Sequence, residues 1–179
     1  GSLNPALGLT GIRLCLAEPV MFRTQMRAIL RATAHGPVRM MWPMITSISE
    51  VRQCLIHLDT AQRQLTERGE TFGPVSIGCM IEIPSAAMTV GSILKLVDFI
   101  SIGTNDLIQY LLSVDRGDDS VSHLYQPGHP AVLKTLQHII RTANRMEKGV
   151  SICGEMAGDT VFTRLLLGMG LRRFSMNPN

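Results

Sequence analysis

The run VSIGCMIEI, Val75–Ile83, stays apolar on both faces until Glu82 interrupts it. A strand with one wet face alternates apolar and polar residues. A near-continuous apolar run of strand length belongs instead to a parallel sheet covered on both sides. Asp98–Gly103 repeats the pattern downstream, and Val38–Pro43 (VRMMWP) is a short apolar run of the same kind upstream. Val150–Cys153 and Arg173–Met176 bring the expected strands to five.

Helical patterns separate these strands. Glu18 to about Ala34 reads as a helix with Pro19 in its first turn, Phe22, Met26, Ile29 and Leu30 on one face, and Gly36 as a stop. Ser47 and Glu50 stand at capping-box spacing before the stripe Val51, Cys54, Leu55, Leu58, Ala61 and Leu65, which Gly69 closes. A short helix is expected over Ala86–Leu96. A long one starts at Pro130 with Val132, Leu133, Leu136, Ile139, Ile140 and Ala143 in step and Gly149 as its stop, and another covers Thr160–Leu167. Apolar strands alternating with amphipathic helices define an α/β fold of parallel β/α units. An open doubly wound sheet holds five strands, but no G-x-G-x-x-G follows any of them, so a dinucleotide site has no support. A TIM-type (β/α)8 barrel needs eight strands and about 250 residues. The 179 residues are therefore expected to form one incomplete barrel domain over 1–179, with about five of the eight units. Gly1-Ser2 reads as a cloning remnant, with the true start further upstream.

Composition narrows the class. Hydrophobic residues are 45% and charged residues 17%, which excludes a disordered chain. No apolar run approaches the roughly 18 residues of a membrane span and no signal peptide is visible, so a cytoplasmic location and no membrane contact are expected. The net charge of +3 is mild, aromatics are only 4%, and the basic residues are scattered, so no nucleic acid is expected as a partner. Four cysteines stand far apart without a C-x-x-C pair. Cys15, Cys54 and Cys79 read as apolar filler in a reducing compartment.

The polar residues that break the apolar strands gather at one kind of place. Glu82 ends its strand, Asn105 and Asp106 stand just beyond theirs, and Cys153 and Glu155 end another. Barrel enzymes carry their chemistry at the C-terminal ends of the strands, although Asp and Asn there also serve as plain helix caps. An acid ending a buried strand needs a cation or a strong partner. Two carboxylates on neighbouring strand ends suit a hard cation, most plausibly Mg2+ with waters and substrate oxygens completing the shell. Arg13 and Arg116 flank them and suit bidentate recognition of a phosphate or carboxylate. His123 and His129 share a loop without a third ligand and make a weak metal pair. From the residues alone, the expectation ends at a metal-assisted site for a small anionic substrate.

SIGTNDLIQY at Ser101–Tyr110, followed by VDRG at Val114–Gly117, resembles a signature of the phosphoenolpyruvate–protein phosphotransferases, Enzyme I of the bacterial phosphotransferase system. NPALGLTGIRL at Asn4–Leu14, MWPMI at Met41–Ile45, MIEIPSAA at Met80–Ala87 and CGEMAGD at Cys153–Asp159 resemble the same family in the same order. The resemblance implies a phosphoenolpyruvate-binding β/α barrel with Glu82 and Asp106 as Mg2+ ligands. It implies Arg13, Arg116 and Asn105 as holders of the phosphate, and Cys153 as the acid that exchanges a proton with the methylene carbon of pyruvate enolate. Arg39 is a looser candidate for the same site. The implied reaction moves the phosphoryl group to a histidine on a companion domain and on to a histidine-containing phosphocarrier protein, releasing pyruvate, with the barrel as a homodimer. His35, His57, His123, His129 and His138 all lack the G-T-S-H-like context of the family's acceptor, so the chain alone is not expected to complete the relay. Thr10 stands where the family has a larger residue, often arginine. Two alternatives remain open at this point: the barrel of a pyruvate–phosphate dikinase or phosphoenolpyruvate synthase, and a non-catalytic phosphoenolpyruvate-sensing module.

Overall fold

The computed structural model describes residues 4–175 of the chain. Gly1-Ser2, read above as a cloning remnant, and Met176, expected to end the last strand, lie outside them. Five parallel strands pair in strict chain order: β1 (Val38–Trp42), β2 (Val75–Ile81), β3 (Phe99–Gly103), β4 (Gly149–Cys153) and β5 (Arg173–Ser175). A doubly wound sheet reverses its strand order at a switch point. This one does not, so the winding is that of a barrel wall, and five consecutive β/α units make an arc of a TIM-type barrel.

Helices fill the crossovers. After α1 (Ile12–Ala17) come α2 (Pro19–Ala32) before β1, α3 (Ile48–Glu67) before β2, and α4 (Pro84–Met88) with α5 (Val90–Leu94) before β3. Then α6 (Thr104–Leu112) and α7 (Pro130–Arg145) precede β4, and α8 (Thr160–Gly168) precedes β5. Cys79, Ile81, Ile100, Ile102 and Ile152 have no solvent exposure and join the helix stripes in one core. The alternate strand positions, among them Arg39, Met41, Gly78, Phe99, Ser101, Ser151 and Cys153, line the inner surface of the arc.

Several boundaries differ from the sequence reading for local reasons. The helix expected from Glu18 is preceded by a separate turn, α1, because Glu18 leaves helical geometry at φ −123° and ψ 65°. The single helix expected over Ala86–Leu96 is two short ones divided at Thr89. Gly149 opens β4 rather than closing α7, and Glu147, at φ 57°, makes the left-handed turn after that helix. β2 stops at Ile81, so Glu82 lies just past the strand. The capping box at Ser47 and Glu50 forms as expected.

On the inner surface, Phe99 lies across Gly78 of the neighbouring strand, where an added Cβ would come within 2.3 Å of the ring. The Arg39 guanidinium stacks on the same ring, 4.3 Å from its centre. Gly78→Val is therefore expected to displace the ring and undo the stack. The expected loss is about 1–3 kcal/mol of stability, read as a lower midpoint in urea unfolding.

Candidate functional site

Register assembles the site. Ile81 pairs with Ile102 and Gly103 pairs with Cys153, so Glu82, Gly103 and Cys153 continue one row across three strand ends. Residues paired in a parallel sheet face the same side. One row below, the Ser151 hydroxyl donates to the Ser101 hydroxyl at 3.2 Å, which confirms that face. Gly103 is the gap in the row: a Cβ there would lie 2.9 Å from Glu82 Oε2 and 3.0 Å from Met80 Sδ. The Glu82 side chain thus lies over β3, toward Asp106 in the first turn of α6.

Glu82 is only 4% exposed. The backbone N–H of Met44 donates to its Oε1 at 2.7 Å, and its second partner is the Asp106 carboxyl. Burial, and then the hydrogen bond to Asp106 and its charge, push the Glu82 carboxyl up to about 7 against the opposing Met44 N–H. No lysine or arginine among the described residues forms an ion pair with either acid. Among the described residues no three His, Cys, Asp or Glu side chains cluster as a metal cage. What exists is a pair of carboxylates without a counter-cation, which fits Mg2+: that ion takes one or two protein carboxylates and draws its remaining oxygens from water and substrate.

Arg13 and Arg116 approach from opposite flanks. Arg13 lines a cleft of about 330 Å3 with Met44, Pro84 and Tyr110, and donates to the carbonyls of Leu7 at 3.2 Å and Gly8 at 3.4 Å. Gly11, at φ 55°, lets this segment close on Met44, where a Cβ would come within 2.6 Å. On the far side, Arg116 Nη1 pairs with Glu155 Oε2 at 3.0 Å and its guanidinium lies 5.6 Å from the Tyr125 ring centre. The Tyr125 hydroxyl donates to the backbone carbonyl of Asn105 at 3.2 Å, and the Glu155 N–H donates to Asn105 Oδ1 at 3.2 Å. The Thr104 hydroxyl donates to the Cys153 carbonyl at 3.3 Å and ties the start of α6 to β4.

Glu82, Asp106, Asn105, Arg116 and Cys153 are thus linked by direct contacts or by one row of the sheet, and Arg13 stands across the cleft beside Met44. Arg39 faces the inner surface lower down, on Phe99. His129 caps α7, its Nδ1 accepting from Ala131 N–H at 3.0 Å. Cys54 and Cys79 are buried thiols, as expected, with Cys15 half-buried.

Sequence reading did not single out Tyr110, Tyr125 or the Met44 N–H. Tyr110 stands four residues after Asp106, one helical turn along the same face, and that spacing was a usable signal. Burial and then the Asp106 and Glu82 carboxylates raise its phenol, with Arg13 opposing, and Tyr110 lines the same cleft as Arg13. Its hydroxyl donates to the Ala6 carbonyl at 2.6 Å, holding the N-terminal segment over the cleft.

Residues 2–179 match the family model described as "PEP-utilising enzyme, PEP-binding domain". Over 178 residues the chain is 57% identical to a phosphoenolpyruvate-protein phosphotransferase of Cupriavidus necator, a match covering 99% of this chain and 30% of that protein. It is 45% identical to the protein of the same name from Bacillus subtilis, covering 98% of this chain and 31% of that one. The chain therefore spans about 30% of the length of these relatives. Among solved structures, a citrate lyase from Burkholderia xenovorans superposes with a TM-score of 0.65 at 21% identity, covering 87% of this chain and 50% of that one. A pyruvate kinase from Cryptosporidium parvum superposes with a TM-score of 0.62 at 12% identity, covering 86% and 30%. These two share the fold. No helix among the described residues is long and apolar enough to cross a membrane.

The raised carboxyl of Glu82 has a consequence for stability. Below its ordinary value of 4.5 the group is neutral in folded and unfolded chain alike, and its contribution is fully present. As pH rises from there to about 7 the unfolded chain ionises first, so stability falls, and above about 7 the slope disappears. The total is on the order of 3 kcal/mol in the absence of divalent cations. Glu82→Gln is expected to flatten this slope and to raise the midpoint of thermal unfolding at pH 8 in EDTA. An unchanged pH profile in the variant would contradict the assignment.

Proposed function

The chain belongs to the phosphoenolpyruvate-utilising enzymes, in their phosphoenolpyruvate-binding domain, and on that premise we propose that it is the magnesium-dependent substrate domain of a phosphoenolpyruvate–protein phosphotransferase. The observation that carries this reading is the buried Glu82, in one row with Cys153 and in contact with the Asp106 carboxyl, with no lysine or arginine among the described residues paired to either acid. Identities of 57% and 45% to proteins of that name favour it over a dikinase or synthase barrel.

Glu82 and Asp106 hold Mg2+. The cation supplies, when bound, neutralisation of the negative charge on the phosphoryl and enolate oxygens. Arg116 and Asn105 bind the phosphate from one flank and Arg13 from the other, so that the phosphorus is presented in line to the incoming nucleophile. That nucleophile is a histidine nitrogen on a companion domain. The N–P bond forms as the bridging O–P bond of phosphoenolpyruvate breaks, and its electron pair leaves on the enolate. Cys153, on the inner face of β4, gives its thiol proton to the methylene carbon of that enolate, which becomes pyruvate and makes the transfer strongly downhill. In the reverse direction the thiolate takes that proton back. The phosphohistidine then passes its phosphoryl group to a histidine-containing phosphocarrier protein.

The proposal extends to a homodimer. Val20 (70% exposed) and Met21 (60%) on α2, and Leu9 (65%) in the segment before α1, are exposed apolar side chains available to a second copy. Sedimentation velocity is expected to show a concentration-dependent dimer, and a monomer at all concentrations would refute it.

Calorimetric titration of phosphoenolpyruvate, with and without Mg2+, tests the site. Binding is expected only with the cation, and Asp106→Asn is expected to weaken it roughly 100-fold. Cys153→Ala is expected to leave that affinity intact while abolishing exchange of the pyruvate methyl protons with deuterated water. Cation-independent binding would overturn the metal-ligand role of the two acids, and loss of binding in the cysteine variant would overturn the role of Cys153 as proton donor alone.

A further inference from the structure

Glu155 touches two groups of the site at once. Its backbone N–H donates to Asn105 Oδ1 at 3.2 Å, and its carboxylate pairs with Arg116 Nη1 at 3.0 Å. Asn105 belongs to the first turn of α6, Arg116 to the loop after that helix, and Glu155 to the turn after β4. One residue from a third segment therefore sets the relative placement of the other two.

The turn is shaped for this contact. Gly154 sits at φ 131°, and a Cβ on it would lie 2.5 Å from Thr104 Oγ1 and 3.0 Å from Asn105 Oδ1. With its oxygen engaged by Glu155, the Asn105 amide keeps both N–H donors for an anion. The carboxylate engages Arg116 at Nη1, the Tyr125 ring lies 5.6 Å from the guanidinium, and among the described residues no other group engages its remaining donors. Tyr125 also donates to the Asn105 carbonyl, closing a circuit of four contacts around the two anion binders.

As a stabilising device this ion pair is poor. Its side chains are 36% and 73% exposed, and exposed pairs contribute little to folding. Its effect lies in orientation: an arginine already held in one arrangement loses less freedom when a ligand arrives. We propose that Glu155 is a positioning residue that presents Arg116, together with Asn105, to the phosphate group of phosphoenolpyruvate without itself contacting substrate. This rests on the function proposed above.

The test compares the unmodified protein, Glu155→Ala and Glu155→Gln by calorimetric titration in Mg2+ with two ligands. These are phosphoenolpyruvate and oxalate, which resembles the enolate but carries no phosphate. Glu155→Ala is expected to weaken phosphoenolpyruvate about tenfold, to leave oxalate within about twofold, and to leave the thermal midpoint unchanged. Glu155→Gln, which keeps an oxygen acceptor for Arg116, is expected to recover most of the loss. If the unmodified protein binds phosphoenolpyruvate and Glu155→Ala binds it equally well, the positioning role is overturned while the proposed function stands. Tighter binding by Glu155→Ala overturns the role by making the carboxylate a competitor of the substrate. Equal weakening of both ligands overturns it in favour of a structural role. Absence of binding by the unmodified protein refutes the function itself, and this role with it.

Discussion

Parallel pairing in consecutive order puts every strand's C-terminal end on one edge of the sheet, and the site depends on that edge. Glu82, Asp106 and Cys153 come from three separate β/α units, yet the register of β2, β3 and β4 brings their positions together. The row works because its middle member is glycine. Gly103 leaves the space above β3 that the Glu82 side chain occupies, so the acid faces Asp106 rather than solvent. A one-residue slip in either pairing would turn a member of the row to the helix-covered face, where Ile81, Ile102 and Ile152 are fully buried.

Around this row the backbone departs from ordinary geometry, and the departures have a common use. Gly11 at φ 55°, Met44 at φ 58° and Gly154 at φ 131° all lie in connections that meet the site. Met44 delivers the N–H that holds Glu82, Gly11 lets the Arg13 segment close on Met44, and Gly154 brings the Glu155 N–H to Asn105. Unfavourable conformations of this kind persist where surrounding contacts over-determine them. The same trade is seen in the electrostatics. Burying Glu82 beside a second carboxylate disfavours its charged form and so lowers stability at neutral pH.

The two flanks are built differently. Arg116 is held by a carboxylate and an aromatic ring on elements that themselves belong to the site. Arg13 is held by the carbonyls of Leu7 and Gly8, in a segment that Tyr110 ties down through Ala6. The Arg13 flank is therefore tied down in part by a tyrosine hydroxyl 104 residues from its acceptor, Ala6. Thr10 lines the same cleft.

The sequence by itself determined the alternation of buried strands and amphipathic helices, because apolar periodicity is a property of neighbours in the chain. The strands at Val38, Val75, Phe99, Gly149 and Arg173, the start of α7 at Pro130 and the capping box at Ser47 were all legible for that reason. So were Glu82, Asp106 and Cys153 as candidates, since a polar residue ending an apolar strand stands out locally. The break at Glu18 and the division at Thr89 were not legible, because the apolar stripe runs on through both while the backbone does not. Only the tertiary structure decided that Met44 supplies the N–H to Glu82 and that Glu155 joins Asn105 to Arg116. These contacts link residues 38, 50 and 39 positions apart, a separation at which local pattern carries no information and the strand register decides which groups meet.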